Sequence, residues 1–365
     1  MGLFSRKPQI IEAQYAPQIM GDNLPTIYNT IIPRLSRRDA MSVPSIARAR
    51  NLLCGTTASI PLEYYKTSTG EVIAPPRWIK QLSKSQPSFI TLSWIVDSLL
   101  FYGVSYLLIT DRYSEDGRPA NFEWVANTRV TFTTDLYGIH VTQYFIDASP
   151  VDMNDIVTIQ GFDEGVLERG GRTIQAAIDV ERAAATNSAN PQPAGYLRNN
   201  GADLPPNEVQ GLLSAWKRGA QTNSTRYLTS TLEYNAVAFS PKDMMYQDAI
   251  RSLSTQIARL TNIPAYLLSS EDNQSMTYSN VQDERKQFYA LSIEPYIQAI
   301  QSRLSMDDIS TAGHEVRFAV ADTFLKQDPL TELAVIEKML ALGLISTEQA
   351  MEMTDLTPNG NEGMS

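Results

Sequence analysis

Apolar side chains along the chain alternate between helical and strand spacing, and the changes of period divide it into segments. From Pro44, the residues Ile46, Ala49, Leu52 and Leu53 recur at helical intervals and predict a helix that Ile60-Pro61 ends. A strand at Leu62 to Lys66 and a turn at Ser68-Thr69-Gly70 are expected next. The stripe Leu92, Ile95, Val96, Leu99 and Leu100 predicts a second helix, closed by Gly103, a residue type that accepts a left-handed cap. Runs rich in β-branched and aromatic residues then predict strands at Ser105 to Thr110, Asn121 to Val125, Arg129 to Thr133, Ile139 to Ile146 and Ile156 to Gln160, with turns at Asp116-Gly117 and Tyr137-Gly138. Residues 44 to about 165 read as an α+β domain. Residues 1–42, scattered with proline and glycine and without a sustained period, read as an extended arm.

Past Gly170-Gly171 the pattern becomes helical and alanine-rich, with Ile174, Ala177, Ile178, Glu181 and Ala185 on one face. An αβ excursion over 191–239 follows: a strand at Gly195 to Leu197, a helix from Asn207 to Gly219 around Leu212, Leu213 and Trp216, then strands at Tyr227 to Thr231 and Leu232 to Phe239. Ser240-Pro241 caps the next helix, in which Tyr246, Ile250, Leu253, Ile257 and Leu260 are spaced by fours and threes, the seam of a helix lying lengthwise on another helix. Ser269 to Ser275 is too polar to bury itself and reads as an exposed loop. A long helix from about Tyr278 carries Pro295 in its interior, where the missing N–H predicts a kink. A strand at Glu315 to Ala321, a helix from Leu330 to Leu342 ended by Gly343, and a capping box at Ser346 to Gln349 complete the pattern.

Length, charge and chemistry narrow the function. At 365 residues the chain exceeds one hydrophobic core. Forty acidic against 30 basic residues give a net charge of −10, which argues against electrostatic adhesion to DNA, RNA or anionic lipid. Cys54 is the single cysteine, read as a small core residue, and His140 and His314 are the two histidines, read as surface or structural. Metal sites of His and Cys are therefore nearly excluded. The acid pairs Asp283-Glu284 and Asp307-Asp308 are read as helix solvation rather than a divalent-ion site, and Arg169 and Arg172 as a solvated turn rather than a phosphate contact. There is no phosphate-loop, H-E-x-x-H, C-x-x-C or G-x-S-x-G motif. The apolar run around Leu99 to Ile109 falls short of a membrane span, and Met1 to Lys7 lacks the apolar stretch of a signal peptide. No catalytic residue, metal or cofactor is expected.

The order helix, αβ insertion, helix, polar loop, long kinked helix resembles the portal proteins of tailed double-stranded DNA bacteriophages, in the family with the shorter chains of long-tailed phages. The resemblance is carried by Ala258-Arg259-Leu260-Thr261-Asn262-Ile263-Pro264-Ala265-Tyr266-Leu267-Leu268 followed by Thr277-Tyr278-Ser279-Asn280-Val281-Gln282, similar to the family's "IAR…(V/I)P…LL" and "TYSN" runs. Leu52-Leu53 to Ile60-Pro61-Leu62, Leu100 to Gly103 with Tyr106, and Leu342 to Ala350 support it, so that it spans about Val43 to Thr354.

The resemblance implies a portal fold assembled as a closed ring: a wing over 43–171 with a return strand in 307–327, stem helices over 172–190 and 240–262, and a clip over 191–239. A tunnel loop over 263–277, a long kinked helix over 278–306, a short crown over 328–356 and a disordered tail over 357–365 complete it. It further implies a ring of typically about twelve copies at one capsid vertex, in the virion and, during assembly, in the host cytoplasm. The implied partners are the terminase large subunit, the head–tail adaptor, the major capsid protein and scaffold, and double-stranded DNA passing without sequence readout. Glu271, Asp272, Asn273, Gln274 and Ser275 are then expected to face the DNA, and Trp216, Lys217 and Arg218 to meet the terminase or adaptor. Closure of the ring gives the seam Tyr246, Ile250, Leu253, Ile257 and Leu260 a partner in the neighbouring subunit. The alternatives are another head–tail connector ring, a nucleic-acid-processing enzyme needing an acidic metal cluster, and a membrane pore.

Overall fold

A computed structural model describes residues 35–135, 140–189, 195–202, 204–221, 228, 230–236, 246–268, 284–320 and 329–353. Its first element departs from the expected arm. Ser36 caps a one-turn helix, α1 (Arg37–Ala40), through a reciprocal bond with Asp39, and Ala40 is fully buried. Residues 1–34 lie outside the described residues.

Helix α2 (Pro44–Ser59) starts on its proline and stops before Ile60-Pro61, as its pattern predicts, and runs into β1 (Leu62–Lys66). A short α3 (Arg77–Lys80), which the pattern did not show, buries Trp78 edge-on against Phe122. Helix α4 (Ser88–Tyr102) buries Leu92, Ile95, Val96, Leu99 and Leu100, and ends on Gly103 at φ 70°. A Cβ on Gly103 would stand 2.2 Å from the Asp163 carbonyl, and one on Gly165 (φ 85°) 2.6 Å from the Gly103 nitrogen. Two glycines thus let the backbone of 161–165 lie directly on the end of α4.

Strands β2 (Val104–Arg112) and β3 (Pro119–Val125) are longer than predicted. Residues 127–129 are a 3₁₀ turn before β4 (Val130–Thr134), which pairs with β5 (Val141–Ile146). A three-residue β6 (Ser149–Val151) extends that sheet and escaped the period test through its brevity. With β7 (Ile156–Gln160), two antiparallel sheets result, ordered β3-β2-β7 and β4-β5-β6. Tyr106, Val125, Tyr144 and Ile156 form the apolar seam between them.

After α5 (Val166–Arg169) come α6 (Gly171–Ala189), β8 (Gly195–Asn199), α7 (Pro206–Gln221), β9 (Leu232–Ala236) and α8 (Tyr246–Leu260). β8 and β9 pair antiparallel, from Gly195 opposite Ala236 to Asn199 opposite Leu232. Of the strand predicted at Tyr227 to Thr231, Ser230 and Thr231 form a turn and the rest falls largely outside the described residues. A one-turn α9 (Ala265–Leu268) closes this half of the chain.

The long helix is α-helical over 284–288, π-helical over Tyr289–Ile293, and α-helical again in α10 (Glu294–Leu304). Strand β10 (His314–Phe318) returns to pair with β1, Leu62 opposite Phe318. Helices α11 (Pro329–Ala341) and α12 (Thr347–Met353) follow, and Ser346 and Gln349 exchange the two bonds of the predicted capping box, at 2.9 and 3.2 Å. One apolar core joins Ile46 and Leu53 of α2, Ile95 and Leu99 of α4, Ile174 and Ala177 of α6, Ile257 of α8, and Ile297, Ile300 and Leu304 of α10. Elements from both halves of the sequence therefore share one core, closed by the β1–β10 pair.

Candidate functional site

Helices α6 and α8 bracket the β8–α7–β9 insertion and pack on each other. Leu253, Ile257 and Leu260 share an apolar cluster with Ile174, Ala177 and Ile178, so this part of the predicted seam has a partner within the chain. Ile257 is fully buried, and Tyr246 and Ile250, farther from the core, are half-buried. Gly170 makes the close approach feasible, since a Cβ there would sit 2.0 Å from Leu260 Cδ2. Glu181 occupies the same face of α6 as Ile174 and Ala177, and burial raises its carboxyl above the ordinary range.

In the insertion, Trp216 is half-buried and its ring lies 5.2 Å from that of Tyr234 on β9. That ring contact sets Trp216 of α7 against the small sheet. Arg218 is exposed, Lys217 lies in the same turn of α7, and Tyr196, Val209 and Leu213 are exposed apolar residues nearby.

The end of α8 is held by several bonds at once. Asn262 takes φ 54°, Ile263 N–H donates to the Ala258 carbonyl at 2.9 Å and Asn262 N–H to that of Arg259 at 3.4 Å, the two bonds of a Schellman end. The Asn262 amide nitrogen donates to the Leu291 carbonyl, and Ser292 Oγ donates to the Asn262 carbonyl at 2.6 Å. These bonds join the "TNIP" run to the π turn before Pro295. Around them, Ser45 Oγ lies 2.8 Å from Ser254 Oγ, and Arg48 Nε donates to the Leu267 carbonyl at 3.3 Å, fastening α2 to α8 and α9. Glu271, Asp272, Asn273, Gln274 and Ser275, predicted to line a channel, lie outside the described residues.

Of the charged groups weighed for chemistry, Arg169 and Asp308 have structural partners, and Asp283 lies outside the described residues. Asp163 pairs with Arg169 at 2.6 Å, and Arg169, which stays exposed, also reaches the Leu260 carbonyl at 3.3 Å. Arg303 holds Asp308 through two bonds of 2.9 and 2.8 Å and donates to the Thr158 carbonyl. His314 stacks on Tyr64 with ring centres 5.3 Å apart. Burial pushes the Cys54 thiol up to about 12, the value of an unreactive core cysteine. Among the described residues no three His, Cys, Asp or Glu side chains gather as a metal site, and no helix is long and apolar enough to cross a membrane.

Sequence reasoning missed the cluster at the start of the described chain. Arg37 and Arg50 both reach Asp97, at 2.7 Å, over the face of Trp94, which stacks on Trp124. Its only sequence signal is an aspartate inside the apolar stripe of α4. The role of Asn262 was also missed, although the order asparagine, isoleucine, proline just beyond a helix carried the signal of a left-handed end.

A family model described as phage portal protein matches residues 44–355. The chain is 22% identical to the probable portal protein of Streptomyces phage phiC31, over 92% of this chain and 80% of that one. In fold it is similar to an HK97 family phage portal protein from Corynebacterium diphtheriae, with a TM-score of 0.67 and 22% identity over 81% of this chain and 99% of that one. It is also similar to a chain in the neck of a native gene transfer agent particle treated with C12 symmetry, with a TM-score of 0.59 and 18% identity over 91% and 95% of the two chains.

Proposed function

We infer the working of this chain from its family: it belongs to the phage portal proteins, and its function is that of a portal. Copies close head to tail into a ring of about a dozen at one vertex of the capsid, and the ring is the conduit for double-stranded DNA. The family match over residues 44–355 carries this reading, and the twelvefold treatment of the similar gene transfer agent neck supports the count. α6 and α8 form the stem, the β8–α7–β9 insertion the clip, residues 43–171 with β10 the wing, and α11 with α12 a short crown. A separate terminase motor drives the DNA in, the head–tail adaptor docks on the clip near Lys217 and Arg218, and capsid protein and scaffold are further partners of the ring.

A conduit has to hold DNA weakly. A net charge of −10 and the acidic stretch Glu271-Asp272 let a polyanion slide without the counterion release that drives adhesion. The first test is the native mass of the purified protein, with negative-stain images. A closed ring near 490 kDa, about twelve chains of 40.6 kDa, is expected. A dimer or tetramer without a central hole would sink the reading. Lysine at both Glu271 and Asp272 is expected to stall packaging, and unchanged packaged DNA length would remove those residues from the channel.

A further inference from the structure

The Leu291 carbonyl stands four residues before Pro295. In a regular α-helix it would be the acceptor deprived of a donor by the proline and crowded by its ring. Departures from regular geometry meet at that carbonyl. Tyr289–Ile293 widens into a π turn, the Asn262 amide donates to Leu291, and Ser292 Oγ donates back to the Asn262 carbonyl at 2.6 Å. Asn262 itself holds the left-handed position of a helix end, at φ 54°, where glycine is the favoured residue. Asparagine tolerates that conformation and, unlike glycine, carries two amide donors.

We propose that Asn262 is a positioning residue that supplies, from outside the long helix, the hydrogen-bond donor Pro295 withholds, and so locks the end of α8 and the π turn into one joint. The joint stands on the geometry alone. Its consequence for DNA rests on the portal reading, in which the two legs it ties together flank the tunnel loop. An end of α8 free to swivel would then cost the channel its fixed bore.

The experiment compares the full chain with its Asn262→Gly, Asn262→Asp, Pro295→Ala and Asn262→Gly/Pro295→Ala variants. Glycine keeps the left-handed end and aspartate keeps the shape, and both remove the donor. Hydrogen exchange by mass spectrometry over peptides within 284–304 is expected to quicken about fivefold in both Asn262 variants, the loss of one hydrogen bond. In the Pro295→Ala background the glycine change is expected to have little effect, because alanine returns the N–H. Equal quickening in both backgrounds, or none in either, overturns the proposal. Should Pro295→Ala fail to fold, unchanged exchange in Asn262→Asp does so by itself.

A second readout is the DNA content of particles assembled with each variant. Packaging is expected to fall with Asn262→Gly and to stay low in the double variant, where alanine returns an N–H to the long helix but not the tie to the end of α8. Full packaging by every variant, beside the expected exchange, overturns the positioning role. A wild-type chain absent from DNA-filled particles contradicts the portal reading instead and leaves the joint standing.

Discussion

Asp97, 2% exposed inside the apolar stripe of α4, is held by Arg37 and Arg50, and both guanidinium groups lie over Trp94. An aspartate there survives because two cations and their hydrogen bonds replace its water. Arg37 belongs to α1, so this one carboxylate also fastens the start of the described chain to the core. Asp97→Ala is expected to cost about 3 kcal/mol in urea unfolding, since two partly buried arginines lose their partner. A cost below about 1 kcal/mol would mean that both swing out to water. Cys54, fully buried and with its thiol pushed up to about 12, is expected to react with a thiol reagent only after denaturant is added. Rapid labelling of the native protein would contradict its place in the core.

At the scale of elements, local chemistry and packing divide the work unevenly. The helices α2 and α4 and the capping box of α12 follow from caps and periods that the chain carries locally. The β5–β6 hairpin does not, because its two-residue turn, Asp147-Ala148, lacks glycine although both residues take positive φ, 49° and 63°. Ala148→Gly is accordingly expected to stabilise the protein by about 0.5–1 kcal/mol in thermal or urea unfolding, and a loss would show that the turn is not strained. In the α6–α8 pair, Glu181 shares the face of Ile174 and Ala177, and burial raises its carboxyl. Because the folded value lies above the unfolded one, stability is lost as pH rises through the carboxylate range toward the folded value. Glu181→Gln is therefore expected to raise the melting temperature near about pH 7 and to lose that advantage toward about pH 4. A gain independent of pH would point to another cause.

For the whole molecule, charge and connectivity matter more than any single site. Forty acidic against 30 basic side chains predict that the purified chain leaves linear duplex DNA unbound at about 0.15 M salt, by fluorescence anisotropy. Tight, salt-sensitive binding would be incompatible with a conduit that releases its cargo. Connectivity shows in β10, which returns from residue 314 to pair with β1 at residue 62, and in α10, whose Arg303 reaches the Thr158 carbonyl of β7. α6 and α8 are rooted in the core that α2, α4 and α10 build, so the inserted β8–α7–β9 unit is carried on a braced pair of helices.

What the chain determined by itself was local or compositional. Proline and glycine set the ends of α2 and α4, three-and-four spacing announced α6, α8 and the long helix, and a net charge of −10 argued against a grip on polyanions. The motif around Asn262 to Pro264 was enough to suggest the family. The tertiary structure decided what depends on contacts distant in sequence: the apolar face of α6 against which Leu253 and Ile257 of α8 pack, the pairing of β10 with β1, and the binding of Asp97 by Arg37 and Arg50. It also decided how the long helix meets Pro295. A proline read alone predicts a lost hydrogen bond, whereas folding brings Asn262 to the Leu291 carbonyl, and a donor 29 residues away supplies the bond that the helix cannot make.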